Sequence, residues 1–224
     1  MCFGEVDLFG DPIDSEKPAK QKTCDLEFWT GLHAQVGDNT LGNIILGEGL
    51  QEELKLPGSN NGGLMYVCAE KLQRGAHGYH LTGTHSPVCD NSVPVYWMPW
   101  KSHSTVYAER AWFERSKCAY FMTSQLTGCR FVVTDSQVLH VASNVDFAPS
   151  GVTGSPVRDQ AEQAVTGGAR SRRFSINGRE QGYNKCALAF GMRKDGIWTY
   201  KALKYKLGDE GGEWVTLITG RLGS

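Results

Sequence analysis

A chain of 224 residues, 40% apolar and 21% charged, has room for one sizeable domain and enough apolar side chains to bury a core, which excludes wholesale disorder. Its net charge of -1 provides no overall field to draw in nucleic acid or an anionic membrane. The longest unbroken apolar run, Leu64 to Ala69, is far below the roughly 20 residues of a spanning helix.

In chain order, residues 1–22 are rich in Asp, Lys and Pro and read as a flexible leader without the basic-then-apolar order of a signal peptide. Residues 23–224 read as a single domain. Leu26, Trp29, Leu32 and Val36 recur at helical spacing behind Thr23, an expected N-cap, and predict a helix over Cys24 to Val36. Asn43 to Leu46 is a short apolar strand, Glu48 to Leu56 a second helix, and Pro57 to Gly63 a turn. β-branched and aromatic runs between Gly, Pro, Asn and Asp clusters predict strands at 64–69, 78–84, 93–98, 117–123, 129–133, 137–142, 185–191, 196–206 and 213–218. Val106 to Lys117 has helix-forming composition without a clear period. Ser155, Pro156 and the pair Gly167 and Gly168 bracket a short helix in the expected order of cap, first-turn proline and terminal glycine. The fold class expected is α+β, a sheet-on-sheet core with peripheral helices.

Phosphate loops, HExxH and GxSxG are absent. His77, His80, His85 and Cys89 are closely spaced ligand-type residues, but strand alternation splits the histidines between two faces, and no metal site is expected from them. Arg170, Arg172 and Arg173 beside Phe174 read as a solvated strand edge, with contact to phosphate or an acidic partner as the alternative. The seven cysteines are odd in number and lack CxxC spacing, so they read as reduced thiols, one of which is free to be a nucleophile.

Lys117 to Val141 carries the sharper signal. Cys129 opens an apolar strand behind Thr127 and Gly128, and His140 lies eleven residues on in another short strand. A turn near Thr134 to Gln137 makes the two cross-strand neighbours. An imidazole beside a thiol suits nucleophilic catalysis, Gly128 permits a tight backbone, and the Cys129 N–H can face a developing oxyanion. Thr123 offers a hydroxyl to the same site. On residue types alone, such a Cys and His are also ordinary core residues.

The segments VPVYWMPWK (Val93 to Lys101), FMTSQLTGC (Phe121 to Cys129) and VLHV (Val138 to Val141), in this order, resemble the Burkholderia lethal factor and cytotoxic necrotizing factor catalytic-domain family of glutamine deamidase toxins. A thinner likeness extends from about Leu26 through Lys185 to Leu207. The resemblance implies a β-sandwich core flanked by helices that converts one glutamine of a host protein to glutamate. It implies Cys129 as nucleophile, His140 as general acid/base, Thr123 as the supporting threonine, and backbone N–H groups around Gly128 and Cys129 as the oxyanion site. No metal or organic cofactor is expected, nor is direct binding to nucleic acid or membrane, and the reading carries a monomer. The implied partner is a translation-initiation helicase, with a Rho-family GTPase next. The implied product is bacterial, secreted or injected without a classical signal peptide, and acts in the host cytoplasm. Thr127 stands where such toxins commonly have serine, and the residue that orients His140 is left open among Asp135, Asn144, Asp146 and a backbone carbonyl. Bacterial chemoreceptor deamidases share the threonine, glycine and cysteine order, so a housekeeping deamidase or transglutaminase is an alternative. A binding module of the same fold without activity is another.

Overall fold

The computed structural model describes residues 24–51, 62–72, 77–116, 118–145, 155–176, 182–205 and 212–222. The leader, Thr23, the Pro57 turn apart from its last two glycines, and most of the helix expected over Glu48 to Leu56 lie outside these residues. Within 48–51 the chain turns instead of starting a helix.

The first helix, α1, spans Glu27–Ala34 and is followed by two short strands, β1 (Gly37–Asp38) and β2 (Asn43–Leu46). Just ahead of α1, whose N-cap Leu26 makes no side-chain cap, Asp25 Oδ1 accepts the Glu27 N–H at 2.8 Å. Phe28, Trp29 and Leu32 are buried, but Leu26 is 47% and Val36 79% exposed. Both had been placed on the apolar stripe; one precedes the first turn and the other follows Gln35, where the backbone is extended.

The chain continues through β3 (Gly63–Lys71), β4 (Gly78–Thr84), β5 (Val93–Met98) and β6 (Thr105–Glu109), then a five-residue helix α2 (Arg110–Glu114). The ambiguous period of Val106 to Lys117 is thus a strand that becomes a helix at Arg110. That guanidinium, 3% exposed, donates to Glu114 Oε1 and to the carbonyls of Thr134 and Gly220. Next come β7 (Tyr120–Thr123), β8 (Arg130–Thr134) and β9 (Gln137–Val141), followed by α3 (Ser155–Thr166). Gly167 and Gly168, at φ of 63° and 81°, follow α3 as the sequence predicts. The last strands are β10 (Ser171–Ile176), β11 (Gly182–Tyr183), β12 (Ala187–Lys194), β13 (Ile197–Tyr205) and β14 (Gly212–Thr219).

These strands form two mixed sheets, ordered β1-β14-β13-β12-β7-β5-β3-β4-β2 and β11-β10-β8-β9-β6. Alternation along the strands sorts the core into layers. Tyr96, Phe121, Ala189, Tyr200 and Ala202 of the larger sheet meet Val106, Phe131, Val133, Val138 and Phe174 of the smaller one. Val95, Met122, Leu188 and Phe190 face the other way, against Phe28, Trp29 and Leu32 of α1. On the outer face of the smaller sheet, Val132, Leu139 and Val141 are covered by Val157 and Ala161 of α3. The result is the helix-flanked sandwich expected from the sequence. Among the described residues no helix is long and apolar enough to cross a membrane.

A buried ionic network also fixes α3 to this sheet. Glu162, 2% exposed, accepts from Arg130 Nη1 at 3.0 Å, Arg173 Nε at 2.8 Å and Ser171 Oγ at 2.9 Å. Arg173 thus pairs with Glu162 while its side chain stays about half exposed, so the sequence reading holds for its solvation but not for an edge, since β10 lies between β11 and β8. Glu162→Ala takes from the 4% exposed Arg130 its buried carboxylate partner, while the half-exposed Asp159 remains paired with it. A loss of about 3 kcal/mol is expected, read as a lower urea midpoint.

Candidate active site

The β8–β9 hairpin sets the central geometry. Its register pairs Phe131 with His140 and Arg130 with Val141, and Thr134 Oγ1 closes the turn by accepting the N–H groups of Ser136 and Gln137. Cys129, two residues before Phe131, lies on the same face as His140 and diagonal to it. That face points into the layer between the sheets, so the neighbour relation expected from the sequence holds. No hydrogen bond joins the thiol to the imidazole in this structure.

His140 is 1% exposed and its pKa is pushed down to about 4 by burial, so the ring is neutral near pH 7. Nδ1 lies 3.4 Å from Ser124 Oγ, while the buried Nε2 has no hydrogen-bond partner. Ser124 follows the last residue of β7 and is tied to the end of β5 by its N–H, which donates to the Met98 carbonyl. It therefore reaches His140 from the opposite sheet. Of the orienting residues left open by the sequence, Asp135 accepts the Leu222 N–H and Asn144 bonds Ser102 and the His103 N–H. Asp146 lies outside the described residues.

Cys129 is 6% exposed and forms part of the wall of a cleft of about 710 Å³, with Ser124, Gln125, Thr127, Ser143 and Trp100 among its other lining residues. Burial pushes the thiol pKa up. Hydrogen bonds from the backbone of Ser143 and of Thr127, the Ser143 side chain and the charge of Arg158 act in the opposite direction. The resting pair is accordingly a thiol and a neutral imidazole, an arrangement in which the imidazole can take the thiol proton during attack.

Gly128 has φ of +119°, which favours glycine before the thiol, and a Cβ there would approach Ser143 Cβ to a tight 3.2 Å. Its N–H is not free for an oxyanion as the sequence reading supposed. It donates to Tyr183 Oη at 2.9 Å, and that hydroxyl donates to the Cys129 carbonyl at 2.7 Å. Arg158 Nη1 holds the Gly128 carbonyl at 2.6 Å. Tyr183→Phe strands a donor and an acceptor at the turn before Cys129; a loss of about 1–3 kcal/mol of stability is expected in urea unfolding.

Thr123 is fully buried and its Oγ1 donates to the Ser124 carbonyl at 2.9 Å. It touches neither Cys129 nor His140 by hydrogen bond, and its place is to hold the residue that holds the imidazole. Ser124, Ser143, Arg158 and Tyr183 escaped sequence reasoning. Ser124 carried one usable signal, its position beside Thr123 in the motif. Arg158 and Tyr183 arrive from α3 and β11, where nothing local marks them.

The histidines of the AHGYHLTGTHSPVC stretch do not gather a metal set. Among the described residues, the ligand atoms that converge are the sulfurs of Cys24, Cys68 and Cys89, all within 4.8 Å of one another. The reading of all seven cysteines as scattered is corrected here: Cys24 Sγ lies within disulfide reach of both Cys68 and Cys89, and because one sulfur makes one disulfide, only one of the two bonds exists at a time. Cys118, Cys129 and Cys186 are free. No protein-family model matches this chain, and no curated protein matches it.

Proposed function

We propose that the protein is a glutamine deamidase that acts on a protein substrate through Cys129 and His140. The observation that carries the reading is a thiol on the wall of a cleft, faced by Ser143 and Thr127 donors, on the same strand face as a neutral imidazole whose Nε2 is unpartnered. Thr123 ends β7, and Gly128 and Cys129 close the connection that leads from it into β8, which supports the resemblance from the sequence.

In this mechanism His140 takes the Cys129 proton as sulfur attacks the carboxamide carbon, and the proton then goes to the departing ammonia. With the Gly128 N–H engaged by Tyr183, the Cys129 N–H is the backbone donor left from the expected pair for the oxyanion. His140 next activates water against the thioester, which releases glutamate and restores the thiol. No step calls for a metal or organic cofactor. A host translation-initiation helicase is the favoured substrate, with a Rho-family GTPase second, and delivery into a host cytoplasm belongs to the same proposal.

A second reading, a binding module that keeps the fold, is favoured by the raised thiol pKa and the missing Cys129–His140 hydrogen bond. Mass spectrometry of a eukaryotic cytosolic extract incubated with the protein separates the two. A gain of glutamate at one target glutamine supports the deamidase. No change, together with a Cys129 that resists alkylation near neutral pH, overturns it.

A further inference from the structure

Three cysteines that the proposed reaction does not use meet where β3 loses a neighbour. The β3–β5 ladder ends at Val67, and beyond it the Cys24 segment takes the open edge, with the Asp25 N–H donating to the Ala69 carbonyl. The β4–β5 loop closes over this junction. Asn91 Nδ2 donates to the Cys24 carbonyl at 3.2 Å, and Ser92 Oγ lies 3.8 Å from Cys24 Sγ and 3.4 Å from Cys89 Sγ. Cys24 is placed against both Cys68 and Cys89, with Cα separations of 5.0 and 6.8 Å. Both fall within the range of about 4.4–6.8 Å that a disulfide spans, the second at its limit.

One sulfur makes one disulfide, so the trio always keeps a third thiol beside the bond. Access differs sharply among the three. Cys24 and Cys68 are buried at 3% and 0% exposure, whereas Cys89 is half-buried in an otherwise exposed loop. We infer that Cys89 is a modification site for small-molecule disulfides and relays oxidation through Cys24 to a resting Cys24–Cys68 bond, which fastens the segment before α1 to the sheet.

The steps balance without a further reagent. The Cys89 thiolate attacks a small disulfide such as oxidised glutathione, breaking its S–S bond, forming a mixed disulfide and releasing one thiolate. Cys24 then attacks Cys89 Sγ, expels the second small thiolate and forms Cys24–Cys89. Finally Cys68 attacks Cys24 Sγ and expels the Cys89 thiolate. The Cys24 and Cys68 thiols have lost two protons and two electrons, the small disulfide has become two thiols, and Cys89 is free again. Cys24 is the common sulfur of both protein disulfides, as the arrangement requires.

The test treats reduced full-length protein with oxidised glutathione, quenches with N-ethylmaleimide at intervals and maps the peptides. In the unmodified chain, glutathione on Cys89 is expected first and Cys24–Cys68 with an alkylated Cys89 last. Cys24→Ser is expected to stop at glutathionylated Cys89, Cys68→Ser to stop at Cys24–Cys89, and Cys89→Ser to close Cys24–Cys68 about tenfold more slowly because access is lost. The relay is overturned if Cys89→Ser oxidises at the unmodified rate, or if glutathione in the unmodified chain never visits Cys89. It is equally overturned if the isolated protein carries one zinc per chain and the three thiols react with N-ethylmaleimide only after chelation. None of these readouts involves deamidation.

Discussion

Cys129→Ser is expected to remove glutamine-to-glutamate conversion, by about a thousandfold or more, while the protein keeps its fold. The hydroxyl is nearly the size of the thiol but is a far weaker nucleophile, and the Ser143 and Thr127 hydrogen bonds that favour a thiolate do little to ionise a hydroxyl. The change is small in volume at a 6% exposed position, so the urea midpoint is expected to move little. Mass spectrometry of the target peptide, with circular dichroism alongside, reads both effects; turnover at the unmodified rate would sink the mechanism. Cys68→Ala, at a residue absent from the cleft wall, should retain turnover, and the opposite order of sensitivity would mean that the wrong thiol had been assigned.

His140→Ala is expected to depress deamidation by a comparable factor, because the proposed mechanism gives this imidazole the thiol proton and the activation of water. The pH profile makes the test sharper. With its pKa near 4, the imidazole stays neutral at pH 5.5, so the acid limb of the rate should lie close to pH 4. A histidine at its ordinary value near 6.5 would leave only about a tenth of the base form at that pH.

The same burial makes His140 a stability group. At pH 7 it is neutral in both folded and unfolded chains. Below about 6.5 the unfolded chain binds a proton that the folded one refuses until about 4, so stability falls as pH drops through that window. The loss is about 3 kcal/mol over the window, and His140→Ala should show a flatter curve between the same limits. Urea midpoints that fall equally with and without His140→Ala between pH 7, 5.5 and 4.5 would contradict a buried neutral ring.

How much of this was legible in the chain depends on the range of the interaction. Strands at Asn43–Leu46, Gly78–Thr84 and Val93–Met98 appear where the sequence put them, since alternation and turn residues are local signals. The strand Thr105–Glu109 was obscured because it runs without a break into Arg110–Glu114, and a two-period segment shows neither period. The helix stripe failed at Leu26 and Val36 because Leu26 is the N-cap and Val36 follows the extended C-cap Gln35, positions the apolar spacing does not mark. Cys129 and His140 were legible as a pair because one hairpin joins them. Ser124, Arg158 and Tyr183 were not, because each reaches the turn from another element. The cysteine trio was invisible for the same reason: 44 and 65 residues separate its partners in the chain.

Ser124 stands on one sheet and the thiol and imidazole on the other, and between them Phe121 and Phe131 meet with ring centroids 5.8 Å apart. Phe131 is the cross-strand partner of His140, and Phe121 lies two residues before Thr123 on the same strand. These two rings therefore work as a spacer gauge: their thickness sets the gap across which Ser124 steadies the imidazole. In the proposed mechanism a core residue that never meets a substrate thus governs the reactive pair, and trimming one ring would shift Ser124 relative to the imidazole without removing any reacting group.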